Sequence, residues 1–130
     1  MKTALCARAI AALIVLADYS YAAVLHCPAT APQAWKVGPS PLADVLVLSY
    51  PAADKVDYSG TLPIMVPDKQ ENRGGTFYQT WLMNTDAPTF TFEFLCLYKN
   101  VERQLVIAAP GVKRCVLASS NVRAVKFECR

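Results

Sequence analysis

The chain has 130 residues, of which 54% are hydrophobic and 18% charged, and its formal net charge is +3. That length bounds it to about one domain with a modest core, and a charge so near neutral excludes nucleic-acid binding as a default property. A single histidine, His26, confines any imidazole chemistry to one position.

Lys2 and Arg8 precede an uninterrupted small and apolar run, Ala9 to Ala17, and then "DYSYA". This is the pattern of a secretory signal peptide over residues 1–22, with Ser20 and Ala22 at the small positions and cleavage after Ala22. The apolar run is shorter than the roughly 20 residues a membrane span needs, so no transmembrane segment is expected after cleavage. Loss of Lys2, Arg8 and Asp18 leaves 11 basic and 9 acidic residues. They are unevenly placed: Lys99 to Arg130 holds seven basic residues against Glu102 and Glu128.

Residues 23–41 contain Pro28, Pro32, Pro39 and Pro41 and read as a proline-rich extended arm. The rest, 42–130, reads as a single β domain. "LADVLVLSY", Leu42 to Tyr50, suits a buried strand, Ala52 to Gly60 a charged loop, and "TLPIMVP" a short extended piece. "DKQENRGG", Asp68 to Gly75, is the most polar stretch, and reads as an exposed turn that projects from the domain. Strands are then expected at Thr76–Met83, Thr89–Lys99, Arg103–Ala109, Val112–Ser119 and Ala124–Arg130. "NTDAP", Pro110-Gly111 and Ser120-Asn121 supply the turns between them. The expectation is an all-β fold: an antiparallel meander forming a small disulfide-bonded sandwich or partly open barrel.

Cys6 leaves with the signal peptide, and Cys27, Cys96, Cys115 and Cys129 remain. An even count in a small exported domain points to disulfides, and the only histidine adjoins Cys27, so a zinc site is not expected. Three pairings are open. Strand parity puts Cys96 with Phe90, Phe92, Phe94 and Tyr98, Cys115 with Leu117, and Cys129 with Val125 and Phe127, all on apolar faces. A hairpin joining the last two strands favours Cys115–Cys129, which leaves Cys27–Cys96 to tie down the arm. "TFTFEFLCLYKN" accordingly reads as the central core strand and not as a ligand platform.

No residue set dictates a reaction. His26 lies in the arm beside a cysteine expected to be bonded, Asp54, Asp57, Asp68 and Glu71 lie in expected loops, and Gly74-Gly75 lacks a phosphate-loop pattern. No catalytic residue, cofactor or metal site is expected. Aromatic residues offer binding anchors: Trp81 in mid-strand reads as core, and Trp35, beside Lys36 in the arm, as the exposed anchor.

Cys27-Pro28, Trp35, Pro41-Leu42, "MVPD" at Met65 to Asp68, Trp81, "CLY" at Cys96 to Tyr98, Cys115 and Cys129 form a set that spans almost the whole cleaved chain. In this it resembles a group of small exported four-cysteine proteins of Gram-negative bacteria, some encoded near type VI secretion loci. The resemblance implies export to the periplasm and a non-enzymatic immunity-type or inhibitor protein, with an envelope-targeting effector or envelope enzyme as protein partner. The residues offered for that contact are Asp68, Glu71 and Arg73 on the polar stretch, Trp35, and Arg123 and Lys126 on the basic C-terminal strands. The alternative is an envelope module that binds glycan or peptide through Trp35 and tyrosines.

Overall fold

The computed structural model describes residues 24–83 and 89–130. The expected signal peptide and the "NTDAP" turn lie outside the described residues. Among the described residues eight strands form: β1 Leu25–His26, β2 Leu42–Pro51, β3 Lys69–Arg73, β4 Thr76–Leu82, β5 Phe90–Tyr98, β6 Gln104–Ala108, β7 Arg114–Ser119 and β8 Lys126–Cys129. They make two antiparallel sheets, one of five strands in the order β1-β8-β7-β4-β3 and one of three in the order β2-β5-β6. The fold is all-β, and neither sheet closes into a barrel.

Only β3–β4, β5–β6 and β7–β8 are local hairpins. After β4 the chain enters the other sheet, where β5 pairs with β2, and after β6 it returns so that β7 pairs with β4. Continuous meandering is broken because β5 is apolar on both faces. Phe94, Cys96 and Tyr98 face the shared core, while Leu95 on the opposite face is 0% exposed. Such a strand is best placed centrally, and β2, with Val45 and Val47 inward and Leu48 outward and also 0% exposed, is its match in register. Phe90 alone leaves the stripe, lying exposed at the strand's start.

The two sheets meet through aromatic rings. Phe94 of β5 lies 4.8 Å, centroid to centroid, from Phe127 of β8, and Trp81 of β4 approaches the same ring edge-on at 6.2 Å. Rings at such angles set positive edges against negative faces, beyond the area they remove from water. Trp81 is buried, as its mid-strand position implied, and its indole N–H donates to the carbonyl of Met65 at 3.0 Å.

Both disulfides are formed by inward-facing sulfurs. Cys115 and Cys129 are directly opposite in the β7–β8 register, with Cα atoms 4.1 Å apart. The adjacent pair, Arg114 and Arg130, exchanges both backbone hydrogen bonds, so the cysteines occupy a non-hydrogen-bonded site, where Cα atoms come closest. Cys27–Cys96 joins the residue after β1 to the C-terminal part of β5, and so links the sheets. Two disulfides fit an oxidising compartment. Among the described residues no helix is long and apolar enough to cross a membrane.

Two segments differ from expectation. The polar stretch Asp68–Gly75 is not a projecting loop: Lys69–Arg73 is an edge strand paired along its whole length with β4. Gly74 and Gly75, with φ of 57° and 81°, supply the two positive-φ residues of a tight hairpin turn. Edge strands tolerate charge because water reaches their free edge, so polarity alone did not mark a loop. The proline-rich arm is not merely extended: β1 pairs with β8, Gln33–Trp35 forms a 3-10 turn, and Thr30 bridges Pro41.

Candidate functional site

Because directly opposed residues of an antiparallel sheet share a face, the registers place two rows of side chains on the outer surface of the five-stranded sheet. One row runs Glu71, Tyr78, Ala118, Lys126, and the next Lys69, Thr80, Val116, Glu128, His26. From β3 to β8 the first row spans about 14 Å at about 4.8 Å per strand. A concave groove of about 610 Å³ lies on this face. Tyr78, Val116 and Ala118 contribute its apolar part, and Lys126, Glu128 and His26 its polar border.

Beyond Tyr78, outside the groove lining, β3 carries three alternate charged residues. Glu71 bridges Lys69 at 3.4 Å and Arg73 at 3.3 Å, and the guanidinium of Arg73 lies 4.3 Å from the centre of the Tyr78 ring. The Arg73 contact holds a cation against the groove's aromatic wall, an arrangement contributing about 0.5–1 kcal/mol at exposed sites. Along β8, Glu128 pairs with Arg130 at 3.3 Å. A smaller hollow of about 230 Å³ beside the groove is lined by Arg114, Val116, Glu128 and Arg130. Among the described residues neither Arg114 nor Lys126 has an ion-pair partner. The face therefore carries an excess of cations around an apolar floor.

Of the residues proposed from sequence, Glu71, Arg73 and Lys126 share this face, the first two paired on β3 and Lys126 three strands away on β8. Arg123 sits in the β7–β8 turn, where its N–H donates to the Ser120 hydroxyl, at the same end of the sheet as the Gly74-Gly75 turn. Asp68 does not join them. It precedes β3, and its carboxylate accepts the backbone N–H of Leu82 at 2.7 Å, which fixes the far end of the hairpin.

Trp35 is elsewhere and is not a free anchor. Its ring meets Tyr98 edge-on at 6.0 Å, and the Arg103 guanidinium lies 4.7 Å from its centre. The Tyr98 hydroxyl in turn donates to the carbonyl of Pro28, and burial raises its pKa. Trp35 thus packs the arm against the core.

A polar cluster that sequence reasoning missed lies on the outer side of the three-stranded sheet. Glu93, 6% exposed, accepts a 2.5 Å hydrogen bond from Tyr58, which reaches it from the loop after β2. That bond, followed by burial, raises the Tyr58 pKa. Burial, followed by the Glu93 charge, raises that of Tyr50. The lone carboxylate within "TFTFEFLCLY", on the face opposite Phe94 and Cys96, was the available signal. Beside it a crevice of about 350 Å³ is lined by Tyr50, Leu62 and the loop residues Asp54 and Asp57. Asp57 is held below the usual carboxylate range by hydrogen bonds from Ser59. Among the described residues no three His, Cys, Asp or Glu side chains converge to hold a metal ion.

No family model, curated protein or solved structure matches this chain.

Proposed function

We propose that this protein is an exported, periplasmic, non-enzymatic binding protein of the inhibitor or immunity type, which engages an envelope-targeting effector or envelope enzyme through the outer face of its five-stranded sheet. The observation that carries the reading is a single outer sheet face on which an apolar groove with Tyr78, Val116 and Ala118 in its lining is bordered by Lys126 and flanked, beyond Tyr78, by Glu71 and Arg73. An aromatic and apolar centre within a charged rim is the anatomy of a protein–protein contact. Two disulfides and a sheet-borne surface keep the contact preorganised, so little conformational entropy is lost on binding. The resemblance to small exported four-cysteine proteins supports the same reading. His26 serves as the border of the groove and its neighbour Cys27 is disulfide-bonded, so these two residues do not form an imidazole–thiol pair.

The test is titration of the purified, oxidised protein against effectors encoded near its gene that attack the periplasm or cell wall. A stoichiometric complex that suppresses effector activity, and is weakened by Arg73→Glu with Lys126→Glu, is the expected result. Absence of binding to every such effector overturns it.

A further inference from the structure

Each sheet has two edges, and the four are treated differently. In the five-stranded sheet β1 is only two residues long, and β3 carries Lys69, Glu71 and Arg73 in five positions. Both are recognised ways of blunting an edge against further pairing. In the three-stranded sheet the outer edge of β2 is covered by the following segment of the chain. Met65 N–H donates to the Val47 carbonyl at 2.8 Å, Ser49 N–H donates to that of Pro63 at 3.2 Å, and Leu48 bridges Ile64. β6 has none of these devices. Gln104–Ala108 contains no charge and no proline, Val106 is 40% exposed, and among the described residues no strand pairs with its free edge.

We propose that β6 pairs antiparallel with β6 of a second copy of this chain about a two-fold axis at Val106, joining two three-stranded sheets into one of six strands. The strand's own order argues for a second copy. Pairing about Val106 sets Leu105 opposite the second copy's Ile107. Both residues lie on the core side, in register with Cys96 and Phe94, and are packed against the core with part of their surface uncovered. The pairing therefore extends the two cores into one another. On the other face Gln104 meets Ala108 and Val106 meets itself, so no like charges are opposed. The same operation on β3 would set Glu71 against Glu71, a destabilising arrangement.

A contact of one five-residue strand is smaller than the ~800 Å² per partner of a standard interface, so the dimer is a weak and concentration-dependent one. It is independent of the proposed effector contact, which uses the other sheet.

Sedimentation equilibrium of the oxidised protein from roughly 5 to 500 μM, the range suited to such a contact, should show monomer–dimer exchange. Hydrogen exchange at the outward amides of β6 should slow as the dimer fills. Val106→Lys, which opposes two cations at the axis, should weaken association at least tenfold. If that variant loses its folded circular-dichroism spectrum, Ala108→Lys at the exposed strand end serves in its place. A monomer throughout the range with β6 amides exchanging at one rate overturns the proposal, as does a dimer of unchanged strength in both folded variants.

Discussion

The Tyr58 hydroxyl donates a 2.5 Å hydrogen bond to Oε1 of Glu93, across 35 residues of sequence, and so fastens the loop after β2 onto the middle of β5. Glu93 is 6% exposed, whereas Tyr58 is 38% exposed. The carboxylate therefore depends on this donor more than the phenol depends on it. Tyr58→Phe should cost about 1.5–2 kcal/mol, the lower part of the range for bonds to charged groups because water partly reaches the site. Denaturant midpoints measure it, and a change below about 0.3 kcal/mol would show that the bond does not hold the loop.

The same bond sets an alkaline limit. Its acceptor raises the Tyr58 pKa above the 10.0 of a free phenol, so above that pH the folded protein retains a proton that the unfolded chain has lost. The contribution to stability is complete below about pH 10 and falls as pH rises through the folded-state value. Tyr50 and Tyr98, also raised, add to the fall. Thermal midpoints at pH 8 to 11 should drop more steeply in the parent than in Tyr58→Phe, and parallel curves would dissociate this bond from the alkaline transition.

The disulfides close loops of different length, 69 residues apart in sequence for Cys27–Cys96 and 14 for Cys115–Cys129. On the chain-entropy account, paired Cys→Ser replacement should cost about 4 kcal/mol for the first and about 3 kcal/mol for the second. Urea unfolding of each double variant checks the order. A larger loss from Cys115–Cys129 would mean that the β7–β8 register, and not chain entropy, is what that bond maintains.

Trp35 has Arg103 against its ring and Tyr98 at its side, and Trp81 is buried. With Arg103 already stacked on the Trp35 ring and Trp81 buried, oligosaccharides and muropeptides should leave the tryptophan emission unchanged. A saturable spectral shift with either ligand class would favour the envelope glycan- or peptide-binding alternative.

The Gly74-Gly75 turn holds β3 in register, and with it the placement of Lys69, Glu71 and Arg73 on the outer face beside Tyr78. Gly75→Val places a β-branched side chain at φ 81° and should cost about 1–3 kcal/mol. Effector affinity should fall with it, whereas Gly74→Asn, a residue at home in such turns, should be nearly neutral. Equal tolerance of both changes would mean that the turn does not set that placement.

Local alternation was enough to locate β4 to β8 and to place Cys96, Cys115 and Cys129 on apolar faces. A strand's side-chain direction depends only on its own residues, and the period of two is written in "FTFEFLCLY" and "KFEC". The pairing chemistry of Gly-Gly and Pro-Gly turns is local as well. What a strand lies beside is not. That KQENR is a strand follows from its alignment with β4, and only that alignment, continued through β7 to β8, carries Glu71 and Arg73 to the face that holds Lys126. Alternation likewise puts Glu93 on the face opposite Phe94 and Cys96 but does not say what covers it. Its burial depends on a loop arriving from 35 residues away, whose Tyr58 supplies the donor that makes a carboxylate tolerable there. The sequence by itself determined β2 and β4 to β8, their inner faces and the four-cysteine framework, because each is a property of neighbouring residues. Tertiary structure decided which strands share a sheet, which face gathers the charges, and which edge is left bare, because these depend on contacts between distant segments.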